Sequence, residues 1–400
     1  MEATDNEFVV ALDVGSSQTR CLIAELTGDE IEVVGRGVET SRGLRRGEVV
    51  DLAAARYTAA RAIGAAEEQA GVEVQTLFLA QGSRHVRFFN NRGCIAITRE
   101  SRTITARDVQ RAIESARGSP VPDETRVIGV LTCSYAVDDI RHVREPEGMH
   151  GTRLEAQLHV IADARTTAEN MAACVDAQQY ETEDFVFAPY AAGEAVLDED
   201  EKKLGAAIID IGAGTMGIML YRDRAPVFSS MIPLGGDHIT SDVATGMNIG
   251  LTDAKRLKEE HAEVGGTRFQ QGIVFERFPR GGTVSVDPRR LHVIVDARLR
   301  EMLDIARREL LRAGVRSASI RVVLTGGTAR LQGIDSLAEQ VLGCPVRIGR
   351  PELGGATMGP EMSTTIGMLR VGWRARQRQV APARSSGVAT RLLTWLQQLF

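Results

Sequence analysis

One short pattern occurs twice and constrains the fold more than any other feature. Residues 8–25, FVVALDVGSSQTRCLIAE, place an apolar run, an aspartate and a small Gly/Ser turn ahead of a second apolar run. Residues 206–222, AAIIDIGAGTMGIMLYR, do the same. Short apolar runs bounded by glycine read as strands, so each copy predicts a hairpin, one around Asp13-Val14-Gly15-Ser16-Ser17 and one around Asp210-Ile211-Gly212-Ala213-Gly214. In a chain of 400 residues, long enough for two or more globular units, a duplicated pair of lobes is the simplest architecture that yields both.

A third glycine turn, LTGGTAR (324–330), also follows an apolar run. Glycine lets backbone N–H groups approach an anion with no Cβ in the way, so three such turns predict a phosphate site clamped between two lobes. Asp13 and Asp210 end their strands beside the turns, where they can hold the hydrated magnesium that accompanies a nucleotide. Gly212 to Gly217 also fits the spacing G-x-G-x-x-G, but a dinucleotide turn of that kind opens a helix, and GIMLYR continues as a strand. No Gly-Lys pair occurs anywhere, which excludes a kinase-type P-loop.

Between these landmarks the texture changes. An Ala-rich segment, 52–70, predicts a packed helix ending at Gly71. From 83 to 162, short strand-like runs surround one helical stretch, 105–117, which predicts a small inserted α+β unit. Residues 165–179 read as helix, FVFAP as strand, 191–197 as the start of a helix, and DEDEKK (198–203) as a charged turn. The stretch from 238 to 312 is helix-rich and broken by a Gly/Arg loop at 278–290.

Charge and cysteine content narrow the function. The formal net charge is −5, and the only lysines are Lys202, Lys203, Lys255 and Lys258. An acidic balance argues against general nucleic-acid binding. The five cysteines are scattered with no C-x-x-C pair, which predicts a reducing, cytoplasmic setting and no structural zinc. The acidic start, MEATDNEFVV, lacks signal-peptide character, and no apolar run reaches the ~18 residues of a membrane span.

The last residues differ from the rest. From Met362 to Phe400 there is no Asp or Glu, whereas Arg370, Arg374, Arg376, Arg378, Arg384 and Arg391 are all basic. Residues 374–387 read as a basic flexible linker. Beyond it Val388, Leu392, Leu393, Trp395, Leu396, Leu399 and Phe400 recur at helical spacing, opposite Thr390, Arg391, Thr394, Gln397 and Gln398. A helix of ~13 residues is ~20 Å long, too short to span ~30 Å of hydrocarbon, so it predicts an amphipathic helix lying in the interface of an anionic membrane.

The phosphate turns (Asp13 to Thr19, Asp210 to Thr215) and Gly326-Gly327-Thr328 resemble the actin-like nucleotide-binding families. Within them the chain resembles the FtsA family of bacterial division proteins, in SRGLRRGEVVDL (41–52), YAVD (135–138), IIDIGAGTM (208–216), IPLGGDHITSDVA (232–244), VVLTGGTARLQGI (322–334), VRIGRP (346–351) and STTIGMLRVG (363–372). The resemblance implies an α/β, actin-like (ribonuclease H-like) two-lobed fold with a small inserted α+β subdomain and a C-terminal amphipathic helix. It implies a first lobe of 1–82, 163–190 and 365–373, with the insertion at 83–162. A second-lobe core of 191–237 and 306–364, a helical subdomain of 238–305, a linker at 374–387 and a membrane helix at 388–400 complete the division.

The same resemblance implies ATP or ADP with Mg2+ as ligand. Gly15, Ser16 and Ser17 would meet the β- and γ-phosphates from one lobe, and Gly212, Ala213, Gly214 and Thr215 from the other. Gly235, Gly236, Lys258, Gly326, Gly327 and Thr328 would surround the adenosine, with magnesium near Asp13 and Asp210. Two departures stand out: Lys255 replaces the usual ribose-binding Glu three residues before Lys258, and Ala188 stands before Pro189 where hydrolysing relatives carry Glu. ATP hydrolysis is therefore expected to be slow at most. The implied role is a polymerising membrane adaptor on the cytoplasmic face of the inner membrane at the septum, tethering FtsZ and recruiting later division proteins. The FtsZ C-terminal peptide would meet Arg298 and Glu301, and further copies of the chain would form filaments. A small-molecule kinase or a pilus-assembly ATPase-like binding protein of the same fold is the alternative.

Overall fold

A computed structural model describes residues 8–27, 30–176, 180–265, 273–276, 283–316 and 320–380. The chain opens with an antiparallel meander of β1 (Phe8–Val14), β2 (Gln18–Thr27) and β3 (Glu30–Thr40). The small hairpin β4 (Leu44–Arg45) and β5 (Glu48–Val49) leads into helix α1 (Leu52–Ala70) and strand β6 (Thr76–Gln81). Alternate residues of β1 enter different cores: Val10, Leu12 and Val14 face α1, while Val9 and Ala11 join the core between the lobes. That is why the strand reads as a continuous apolar run rather than an alternating one.

Helix α1 starts and stops where its sequence says it should. Asp51 caps it by accepting from Ala54 N at 3.1 Å, and Gly71, at φ +70°, closes it with its N–H on Glu67 O. Its alanines are there for contact. A Cβ on Gly37 would lie 1.7 Å from Ala62 O and one on Gly35 2.4 Å from Ala66 O, so a bare strand backbone packs directly on the helix.

The insertion follows β6. It comprises β7 (Arg87–Ala96), α2 (Ala106–Arg117), β8 (Thr125–Val137), β9 (Ile140–Val143) and β10 (Arg153–Ala164), in a sheet of order β7-β10-β8-β9 with α2 packed on it. The chain returns through α3 (Arg165–Ala172), shorter than the predicted 165–179, and β11 (Glu181–Phe187). The first sheet then has the order β11-β6-β1-β2-β3.

Helix α4 (Ala188–Val196) carries Pro189 in its first turn and so begins earlier than predicted. DEDEKK is not a turn. Residues Glu199–Leu204 form α5, because Asp198 accepts from Glu201 N at 2.6 Å while the Glu201 side chain accepts from Asp198 N at 3.2 Å, a capping box, and Lys202 and Lys203 occupy the last turn.

The second lobe repeats the first. Strands β12 (Ala206–Ile211), β13 (Met216–Arg222) and β14 (Ala225–Ile232) form a meander. Helices α6 (Gly236–Met247) and α7 (Leu251–His261), the hairpin of β15 (Ile273–Glu276) and β16 (Thr283–Val286), and α8 (Pro288–Arg312) follow. The predicted loop at 278–290 thus gives way to strand and helix over its described part. Strand β17 (Arg321–Thr325), α9 (Ile334–Leu342) and β18 (Val346–Ile348) complete a sheet of order β14-β13-β12-β17-β18. In both sheets an antiparallel meander carries two further strands parallel to its first member, so the duplication read from two turns holds for the whole sheet.

After a short hairpin, β19 (Glu352–Leu353) with β20 (Ala356–Thr357), helix α10 (Ser363–Val380) crosses between the lobes against α4. The linker reading of 374–387 is corrected for its first seven residues, which continue α10. Arg374 pairs with Glu194 there, and Arg376 with Glu183 at 2.7 Å. Residues 381–387 and the predicted membrane helix 388–400 lie outside the described residues.

Candidate functional site

A cleft of about 520 Å³ lies between the lobes, and the matched turns form opposite walls of it. From the first lobe come Asp13 at the end of β1 and Gly15, Ser16 and Ser17 in the turn. From the second come Asp210 at the end of β12 and Gly212, Ala213, Gly214 and Thr215. The turns touch: a Cβ on Gly214 would sit 2.5 Å from Ser16 Oγ and 2.9 Å from Arg46 Cα. Only glycine allows that approach.

The second turn is braced from below. Gly212 N donates to Thr215 O at 2.9 Å, and the first amides of α6, Gly236 N and Asp237 N, donate to Gly212 O and Ala213 O at 3.0 and 2.9 Å. Thr328 Oγ1 donates to Gly212 O at 3.0 Å. The N–H groups of Ala213 and Gly214 carry no backbone partner among the described residues. The carbonyls are thus occupied while the amides are left for an anion.

Gly326 is at φ +84°, and a Cβ there would lie 2.3 Å from Asp210 Oδ1. This residue, Gly327 and Thr328 line the far end of the cleft with Gly236 and Lys258. Gly235 does not line it. A Cβ on Gly235 would meet Ala213 O at 2.5 Å, so its role is to let α6 start beneath the turn. Lys258 is buried, with Nζ donating to Gly236 O at 3.1 Å and Thr240 Oγ1 at 2.9 Å. It is not a solvated helix charge. Lys255 Nζ donates to Ser17 Oγ at 2.9 Å, which ties it to the Gly/Ser turn of the opposite lobe.

The two aspartates face one another electrostatically. Burial, and after it the Asp13 carboxylate, push the Asp210 carboxyl up to about 6. Burial raises Asp13 as well, against the pull of Arg20. Such a pair welcomes a cation, and one or two carboxylates completed by water and phosphate oxygens suit magnesium. Among the described residues no cluster of three or more His, Cys, Asp or Glu could hold a metal alone, so the donor set fits a nucleotide-borne ion rather than an all-protein cage.

Several lining residues escaped sequence reasoning. Arg20 is the register partner of Asp13 across the first hairpin, a relation the strand pattern already contains. Gln81 and Thr364 carry no local signal. Thr364, in the first turn of α10, donates to Asp210 Oδ2 at 3.3 Å. Arg298 and Glu301 lie on α8 in the helical subdomain. Arg298 forks onto Asp242 of α6, with Nη2 at 3.1 Å from Oδ1, and donates to Glu301 at 2.6 Å. The predicted membrane residues Val388, Arg391, Leu392, Leu393, Trp395, Leu396, Leu399 and Phe400 fall outside the described residues.

Comparison with known proteins agrees with this geometry. Residues 207–367 match the family model "Cell division protein FtsA", and residues 83–162 match "SHS2 domain inserted in FTSA". The chain is 32% identical to cell division protein FtsA of Pseudomonas aeruginosa over 98% of both chains. It is 30% identical to that of Escherichia coli over 100% of both. Among solved structures it resembles the PilM-PilN type IV pilus biogenesis complex (TM-score 0.63, 17% identity, 91% of this chain and 98% of the other). It also resembles MreB5 of Spiroplasma citri bound to ADP (TM-score 0.57, 12% identity, 94% and 100%), which marks the fold as actin-like. A full-length match at this identity, on a duplicated two-lobed scaffold with its insertion at 83–162, means that the chain belongs to the FtsA family of cell division proteins.

Proposed function

We propose that this protein is an ATP-binding, polymerising membrane adaptor that tethers the FtsZ ring to the cytoplasmic face of the inner membrane at the septum and recruits later division proteins. The observation that carries this reading is the convergence of both Asp-x-Gly turns, one from each lobe, on a single cleft. Gly15, Ser16 and Ser17 hold phosphate from one side, and Gly212, Ala213, Gly214 and Thr215 from the other, through backbone N–H groups. Asp13 and Asp210 hold water-bound magnesium, whose charge neutralises the triphosphate. Lys258 and Thr328 pin the floor on which adenosine rests, beside Gly236, Gly326 and Gly327. A ligand gripped by both lobes sets their relative angle, which is how nucleotide state reaches the faces that meet in a filament.

The C-terminal pattern of 388–400 supports the membrane role. One short amphipathic helix binds lipid reversibly, so firm attachment comes from many tails presented together, and polymerisation and membrane binding reinforce each other. Arg298 and Glu301 remain the proposed contact for the FtsZ C-terminal peptide, where the cationic fork on Asp242 would be shared with an acidic ligand.

Co-sedimentation with anionic vesicles, with and without ATP and an FtsZ C-terminal peptide, tests the reading. The full chain is expected to pellet with vesicles and to carry the peptide down. Removal of 388–400, or Trp395→Glu, abolishes pelleting and leaves nucleotide binding intact. A truncated chain that still pellets overturns the anchor, and Arg298→Glu with undiminished peptide binding overturns the partner site.

A further inference from the structure

Arg20 of β2 stands directly across the first hairpin from Asp13 of β1. Successive side chains of a strand point to opposite faces, so the direction of this pair can be read from the residues below it. Val9, Ala11, Leu22 and Ala24 join the core between the lobes, whereas Leu12 and Cys21 face α1. Asp13 lies two residues beyond Ala11, and Arg20 two residues before Leu22. Both therefore project from the inter-lobe face into the cleft, which they line, and both are partly exposed there. The Arg20 charge favours the ionised form of Asp13 and also that of Asp210 in the other lobe.

The second hairpin has no counterpart of this arginine. There the register partner of Asp210 is Gly217, and a Cβ on Gly217 would lie 2.2 Å from Pro189 Cγ and 3.0 Å from Met231 Sδ, so no side chain fits opposite Asp210. Asp210 meets a neutral donor instead, Thr364 Oγ1 at 3.3 Å. The duplicated hairpins thus bring two carboxylates and one guanidinium to the cleft. Arg20 is not used up in an ion pair among the described residues: Nη2 donates to Gln18 Oε1 at 2.5 Å, a neutral acceptor. Its charge, which a guanidinium keeps at any pH a folded protein meets, is left to act on the two carboxylates.

We propose that Arg20 is the built-in counter-ion of the Asp13–Asp210 pair: it opposes the binding of a divalent cation to these carboxylates and holds nucleotide phosphate in the cleft when that cation is absent. The proposal rests on the nucleotide reading above. Two carboxylates alone attract a divalent cation and repel a phosphate chain. One fixed positive charge beside them works against both effects, because it repels the cation and attracts the anion. Removing that charge moves the two affinities in opposite directions. Damage to the hairpin would lower both, so the sign of the change separates a counter-ion from a merely structural side chain.

Two titrations of the full-length protein test this: Mn2+ binding to the nucleotide-free chain, followed by electron paramagnetic resonance, and ADP binding by calorimetry, in excess Mg2+ and in excess chelator. Arg20→Met is expected to bind Mn2+ about tenfold more tightly and ADP in chelator about tenfold more weakly, while ADP in excess Mg2+ stays within about threefold. Arg20→Lys, which keeps the charge, is expected to restore both affinities toward the wild type. Arg20→Met with Mn2+ affinity equal to or below that of the wild type overturns the proposal, as does unchanged ADP affinity in chelator. Should Arg20→Met fail to fold, Gln18→Glu decides: a carboxylate at the acceptor position neutralises the guanidinium, and the same two opposite shifts are expected. A wild-type chain that binds neither ATP nor ADP in excess Mg2+ sinks the nucleotide reading instead, and the Mn2+ titration still shows whether Arg20 opposes the cation.

Discussion

Lys255 Nζ donates to Ser17 Oγ at 2.9 Å, a bond between the lobes at the mouth of the phosphate turn. Ser17 is also tied to the first sheet, its carbonyl accepting from Ser41 N at 3.0 Å. Under the proposed nucleotide reading, a cation so placed acts on phosphate charge. Lys255→Ala is expected to weaken ATP binding by about tenfold, and Lys255→Glu by more, because a like charge repels where an absent one only fails to attract. Calorimetric titration at low and high salt checks both the order and its attenuation by screening. Equal affinity of the Glu variant and the wild type would place Lys255 outside the site.

His159 of β10 is fully buried where the insertion meets the second lobe. Asn90 Nδ2 donates to Val227 O at 3.4 Å, which turns Asn90 Oδ1 toward His159 Nδ1, 2.7 Å away. Nδ1 therefore carries the proton, and Nε2 accepts from Ser229 Oγ at 2.7 Å. The neutral ring is fully satisfied, and burial pulls its pKa down to about 4. The unfolded ring binds a proton near 6.5 and the folded one does not, so this stability is whole above 6.5 and drains away as pH falls toward 4. About 3 kcal/mol is at stake. Thermal unfolding of the wild type should show this loss between pH 6.5 and 4, and His159→Gln should flatten it.

Local chemistry made much of this fold legible. Asp13-x-Gly15 and Asp210-x-Gly212 announce their hairpins because a strand, a turn and a strand are contiguous. Asp51 and Gly71 bound α1 by their own caps. What stayed hidden depends on partners distant in the chain. Residues 374–380 read as linker because nothing nearby shows that Arg374 and Arg376 reach Glu194 and Glu183. DEDEKK reads as a turn unless the reciprocal bonds of Asp198 and Glu201 are recognised as a cap. Gln81 and Asp163 flank the insertion, which hides their contact from any local pattern.

Gly367 marks where α10 crosses α4. A Cβ there would lie 1.7 Å from Ala191 O and 2.4 Å from its carbonyl carbon, so the two backbones are in direct contact. Replacing a mid-helix glycine by alanine ordinarily gains up to ~1 kcal/mol. Here the overlap wins, since neither helix can yield without shifting its sheet. Gly367→Ala is expected to destabilise by about 3 kcal/mol, read as a lowered midpoint in denaturant unfolding. A gain in stability would mean that the helices part easily. Gly64 is the internal control: no atom lies within 4 Å of an added Cβ, and Gly64→Ala should stabilise.

Glu194 of α4 holds the far end of the same crossing. Its carboxylate is 5% exposed, meets Lys202 Nζ at 2.9 Å, and pairs with Arg374 of α10. Burial is the largest influence on its pKa and pushes it up, but Lys202 and Arg374 together outweigh burial and hold it below the ordinary value. The network is therefore charged at neutral pH. Lys202 is 5% exposed, whereas the Arg374 side chain is 45% exposed, so losing Lys202 leaves a buried carboxylate with only a solvent-facing partner. Lys202→Met is expected to cost about 3–5 kcal/mol, and adding Glu194→Gln should recover more than half, because a buried pair owes less to its attraction than its breakage suggests. Denaturant unfolding of the two single variants and the double variant closes the cycle. Additive losses would mean that Lys202 and Glu194 act independently.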